Sequence, residues 1–195
     1  MKIVINLILL LITVALGYML VNSIREPIAF QEAKDKREQA VINRLMDIRK
    51  AQEMFRDIKG GFAPNFDTLQ YVLENDSFAI IKIEGDEDAT GADAQAIRRD
   101  TTYKSALDSI RAMGLRLDSL RHVPYSNKMF DIAADTLTYQ QTLVSVVEVG
   151  TKRSYFMGKY ADDKYARYDN SYNPNTTIKF GDMNSPKLAG NWESK

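Results

Sequence analysis

Nineteen consecutive positions, opening at Ile3 and closing at Val21, carry no charged side chain. Only Asn6, Thr13, Gly17 and Tyr18 interrupt their aliphatic character. As an α-helix rising 1.5 Å per residue, the run reaches about 28 Å, close to the ~30 Å hydrocarbon core of a bilayer. Tyr18 falls one turn from its far end, where an amphipathic ring favours the interface. The competing reading is a cleaved signal peptide, with Lys2 as its charged n-region and Val21-Asn22-Ser23 as its cleavage site. The apolar run is longer than a usual signal core, which favours a retained anchor. Lys2 lies on one side of it; Arg25, Lys34, Lys36 and Arg37 lie on the other, among Glu26, Glu32, Asp35 and Glu38. A simple count of positive charges keeps the C-terminal part in the cytoplasm. Large domains cross largely regardless of charge, however, so export is expected, with the anchor in an inner membrane and the domain in the periplasm.

The remaining bulk numbers exclude whole function classes. With 195 residues the chain holds an anchor and one domain. Its 26 basic and 26 acidic residues cancel, so no cationic excess marks a nucleic-acid surface. Cysteine is absent, which removes thiol catalysis, disulfides and thiolate metal sites. One histidine, His122, rules out a multi-histidine metal centre within a single chain. No Walker loop, dinucleotide fingerprint or nucleophile elbow occurs. No catalytic residue, cofactor or metal site is therefore expected, and the chain does not read as an enzyme.

Beyond Pro27, which either kinks a helix or opens a new one, the pattern is helical to Ile58. Val41, Leu45, Ile48, Phe55 and Ile58 recur at spacings of three, four or seven, with Gln52 in the gap. Gly60, Gly61 and Pro64 supply the stop. The stripe is either a helix packed on its own domain or a short coiled coil with another anchored subunit. In the second case Val41, Leu45, Ile48 and Phe55 bind a partner. The expected divisions are an anchor over 1–24, a helical stalk over 25–60 and a small domain over 61–195.

Within the domain, Asn65 is placed to cap a short helix over 66–74. Residues 78–83 read as a strand apolar on both faces, hence central. Residues 101–113 suit a strand at their start and a helix after it. Strands are expected at 129–133, 142–149 and 177–180. A further strand at 154–157 is expected to pair with 142–149 across a Gly150-Thr151-Lys152 turn. The fold class is α+β: a transmembrane helix and helical stalk followed by an antiparallel sheet carrying a helix on one face.

Three features invite chemistry. The acidic loop 84–93 alternates Asp86, Asp88 and Thr90 before Gly91, as an EF-hand does. Its twelfth position is Ile97 rather than the bidentate Glu, so a solvated loop is the stronger reading. Tyr155, Tyr160, Tyr165, Tyr168 and Tyr172 crowd one stretch, either a loop pinned by its rings or a partner or glycan surface using Tyr165 and Tyr168. Trp192 is expected to dock the C-terminus.

The apolar helix, the Pro beyond it, Ala51-Gln52-Glu-Met-Phe55, Lys59-Gly-Gly-Phe62-Ala-Pro64 and Asp67-Thr-Leu69 together resemble a type IV pilin or type II secretion pseudopilin over residues 3–73. That resemblance implies a helical spine beneath an antiparallel sheet. The chain departs from the family in having no Gly-Phe pair before the apolar run and no early Glu within it, so processing and filament assembly do not carry over. The architecture also resembles the bitopic assembly-platform subunits of the same machines. These likenesses imply a non-enzymatic, single-pass envelope protein, a structural or assembly subunit bound to other envelope proteins. The alternatives are a membrane-tethered glycan- or calcium-binding or sensory module, and an accessory subunit of a membrane enzyme.

Overall fold

The computed structural model describes residues 2–84 and 98–193. Its organising element is α1, Lys2–Lys59, a single helix of 58 residues. At 1.5 Å per residue it is about 87 Å long. Pro27 lies inside it without ending it. Lacking an N–H, Pro27 leaves the carbonyl of Ser23 without its usual amide partner four residues on.

Burial divides this helix sharply. Large side chains from Ile3 to Ile24 are exposed, whereas Phe30, Val41, Leu45, Ile48 and Ala51 are fully buried. From Glu26 onward, one face of α1 is covered at every turn by the rest of the chain. The segment read as a stalk is the domain's own spine. Val41, Leu45, Ile48 and Phe55 belong to the same core cluster as Leu69, Ile110, Val147 and Phe180. The packed-helix alternative holds, and these four side chains are not free to meet another subunit.

Gln52 explains the polar gap in the stripe. Fully buried, it donates Nε2 to the Ala63 carbonyl at 3.0 Å and accepts the Ala63 N–H on Oε1 at 2.9 Å. One side chain thus satisfies both backbone groups of Ala63, in the loop that turns off the helix.

That loop leads into α2, Phe66–Asn75, capped by Asn65, whose side chain accepts from the Thr68 N–H at 2.8 Å. β1, Ser77–Glu84, then pairs antiparallel with β2, Arg98–Ser105. Among the described residues these form a two-stranded ribbon of their own. The expected central position of β1 is therefore corrected: its apolar faces are not sandwiched, and Ala79 and Ile80 are exposed. The ambiguous segment resolves both ways, as the end of β2 followed by α3, Ala106–Ala112. A short α4, Leu117–Leu120, follows.

The second sheet has the order β3-β4-β5, with β3 Asp131–Tyr139, β4 Thr142–Lys152 and β5 Thr177–Gly181, all antiparallel. The partner of β4 is the preceding strand, joined through Gln140 and Gln141, both at positive φ (48° and 67°). Two successive residues of that kind make a type I′ hairpin turn. The expected strand at 154–157 is instead α5, Arg153–Phe156, because β4 runs straight through Gly150 and Thr151 to Lys152. Two 3-10 helices, Gly158–Tyr160 and Asp163–Arg167, lead on to β5.

Gly181 closes this sheet at φ 80°, and a Cβ there would sit 1.9 Å from the Val147 carbonyl oxygen. Gly181→Ala is expected to cost roughly 3–5 kcal/mol, because backbone rather than a side-chain tip must yield. Gly60, also at positive φ but with nothing within 4 Å, is the control. Gly60→Ala is expected to cost only about 1–2 kcal/mol. Denaturant midpoints of a fragment spanning residues 25–195 compare the two directly.

Candidate functional site

The tyrosine-rich stretch closes around the foot of the spine. Phe30, fully buried, is surrounded by four tyrosine rings. Tyr165 stacks on it at 5.4 Å between centroids and 9° between planes. Tyr160 and Tyr172 meet it edge-on at 5.6 and 5.0 Å, and Tyr168 lies tilted at 6.1 Å. Stacked and edge-to-face contacts of this kind add to the area that the rings bury.

Polar contacts lock the collar above and below the aromatic layer. The Tyr172 hydroxyl donates to the Tyr160 carbonyl at 2.6 Å. Tyr168 donates to Glu26 Oε2 at 2.9 Å, and Arg167 approaches the same oxygen at 3.4 Å. Lys34 pairs with Asp169, and Arg153 reaches Glu38 at 2.8 Å. Along the spine, Arg37 donates to the Phe156 carbonyl, and higher up Arg44 donates to the Ser119 carbonyl and Arg49 to Glu193 at 2.7 Å. The cations of α1 thus grip successive segments of the domain, from the collar to the C-terminus.

Of the residues proposed from sequence to bind a partner, Tyr165 is buried and Tyr168 half-buried, both occupied by α1. Together with Val41, Leu45, Ile48 and Phe55, they hold the chain to itself. Sequence reasoning missed Phe30 and its ion-pairing neighbours. The signal was present: Phe30, Lys34, Arg37 and Val41 continue the stripe upstream at spacings of four, three and four. His122 is exposed and bridges Met129. The calcium reading of residues 84–93 falls on a segment lying almost wholly outside the described residues. Among the described residues no three His, Asp or Glu side chains gather as a metal ion would need.

Two ionisations report on the collar. The ammonium of Lys34, aided by the Ser171 hydroxyl, lowers the Asp169 carboxyl to about 2. Burial, reinforced by the nearby Glu38 charge, pushes the Tyr172 hydroxyl up to about 12. A depressed carboxyl contributes stability above its unfolded value, 3.8, and that stability is lost as pH falls toward 2. A raised phenol contributes stability below 10, lost as pH rises through about 12. The fragment 25–195 is therefore expected to hold a stability plateau from about pH 5 to 9, losing on the order of 1 kcal/mol at each edge. Asp169→Asn should flatten the acid edge and Tyr172→Phe the alkaline one, with melting temperature against pH as the measurement.

Trp192 packs against the core, and Gly190 is required beneath it, since a Cβ there would lie 2.3 Å from the indole. Beside it a groove of about 410 Å³ runs between α1 and β5, lined by Glu38, Ile42, Met46, Arg153 and Trp192 among others. A second groove, of about 610 Å³, lies at the base of the collar, where Tyr18, Asn22, Ser23 and Glu26 of α1 face Arg167 and Tyr168. No protein-family model, curated protein or solved structure matches the chain.

Proposed function

We propose that this chain is a non-enzymatic, single-pass envelope protein that acts as a structural or assembly subunit of a larger membrane complex. Its anchor crosses the inner membrane and its domain faces the periplasm. The observation that carries the reading is α1 itself, one helix whose uncovered apolar part and whose buried part are continuous. A domain built on the same helix as its anchor has its height and tilt above the bilayer fixed, which suits a subunit that must present a surface in register with neighbours. The likeness of residues 3–73 to pilin-type N-termini supports the same reading.

The spine face being occupied, the partner surface moves elsewhere. In the β1–β2 ribbon, Ile80 stands opposite Thr102, and Tyr103 opposite Ala79. Ile80 and Tyr103 therefore point from opposite faces, and both are exposed, at 44% and 75%. A ribbon with an apolar side chain open on each face is suited to being covered by another protein.

The test is chemical crosslinking of the full chain in its own membranes, followed by gentle extraction. A defined complex of fixed stoichiometry, with crosslinks from the β1–β2 ribbon, is expected. A lone monomer in native membranes would overturn the reading. A second reading, a membrane-tethered ligand-binding module, is favoured by the groove beside Trp192, where an ion pair and an indole share one opening. It predicts that Trp192→Ala abolishes ligand binding while leaving any membrane complex intact.

A further inference from the structure

We infer that the groove at the base of the collar holds the headgroup of a zwitterionic phospholipid carrying a primary amine, with the lipid phosphate on Arg167 and its ammonium beside Glu26. The inference rests on α1 crossing the bilayer through residues 3–21. Given that, the heights are fixed. Glu26 lies five residues beyond Val21, about 7.5 Å along the helix. The headgroup layer on each side of a bilayer is about 5–8 Å thick. Asn22, Ser23 and Glu26 therefore sit at headgroup level, and Arg167, 3.4 Å from Glu26, sits there with them.

The lining has the chemistry of a zwitterion. Arg167 is more than half exposed, and among the described residues its bonds, to Glu26 and to the Tyr168 hydroxyl, use Nη2. Its remaining guanidinium edge offers the planar donors that suit a phosphate. Tyr18, Asn22 and Ser23 add hydrogen-bonding groups from the helix. Glu26 places one carboxylate in the same groove, where its Oε2 accepts from Arg167 and Tyr168. That carboxylate disfavours a purely anionic headgroup and attracts an ammonium. The aromatic collar makes the groove possible, because Tyr165 and Tyr168 hold the Arg167 segment against α1 at this height.

The experiment uses the full chain in nanodiscs containing equal amounts of phosphatidylethanolamine and phosphatidylglycerol, with retained lipid read by native mass spectrometry. At least threefold preferential retention of phosphatidylethanolamine is expected. Arg167→Ala should lose retained lipid of both kinds. Glu26→Gln should reverse the preference toward phosphatidylglycerol, since the cation then stands without its carboxylate. Equal retention of the two lipids, or an unchanged pattern in Arg167→Ala, would overturn the assignment. A nitroxide at Thr13→Cys, in a chain free of other cysteines, separates the premise from the inference. A label buried in hydrocarbon beside indifferent lipid retention sinks the headgroup site alone. A label in water removes the spanning helix, and the site with it.

Discussion

A fragment beginning at residue 60 is expected to be unfolded, whereas one beginning at residue 25 is expected to fold cooperatively and stay in solution. The longer fragment drops only the apolar segment whose side chains are exposed. The shorter one loses Phe30, Val41, Leu45, Ile48 and Phe55 from the core, and Gln52 from the turn-off loop. At about 1.5–3 kcal/mol for each large apolar side chain, the five amount to roughly 8–15 kcal/mol. That matches or exceeds the whole stability of an ordinary domain. Near-ultraviolet dichroism and amide chemical-shift dispersion decide the outcome. Native-like dispersion in the 60–195 fragment would mean that α1 is an accessory to the core rather than its centre.

Phe30→Ala is expected to destabilise the 25–195 fragment by about 3–5 kcal/mol, the range for emptying a fully buried aromatic site. The loss should be uneven along the chain. Phe30 is the shared contact of Tyr160, Tyr165, Tyr168 and Tyr172, so the segment from Tyr160 to Tyr172 should lose its support. Strands β3 and β4 contribute none of the rings of that cage and should keep more of their protection. Hydrogen exchange on the variant measures both. Uniform loss of protection would show that the collar and the sheet unfold as one unit. A cost below about 1 kcal/mol would mean that the tyrosines close the gap by themselves.

Much of this architecture was legible because it rests on local chemistry. The apolar run, the three-and-four spacing of the spine, the Asn65 cap and the strand at 142–149 all speak through neighbouring residues. The α+β class followed from them. What escaped was settled by contacts distant in sequence. Whether the Val41-to-Phe55 stripe faced its own domain or another chain depended on strands a hundred residues away. The tyrosines could be counted but not oriented, because their common target, Phe30, lies 130 or more residues upstream. The β3–β4 turn was hidden for a different reason. Gln140 and Gln141 adopt the conformation that Asn-Gly usually advertises, and nothing in their chemistry signals it. Residues 154–157 carry strand-forming side chains, yet α5 forms there because the Pro174 and Thr176 carbonyls take up the Ser154 and Arg153 amides.

The central claim is that one unbroken helix both enters the bilayer and forms the core of the domain, with Pro27 leaving it continuous. Double electron–electron resonance between nitroxides at Thr13→Cys and Asn43→Cys, in the full chain in nanodiscs, tests it most directly. Thirty residues of continuous helix separate the two positions by about 45 Å. A single narrow distance distribution near that value is the predicted result. A broad distribution, or one markedly shorter, would place a hinge between anchor and domain and contradict the account.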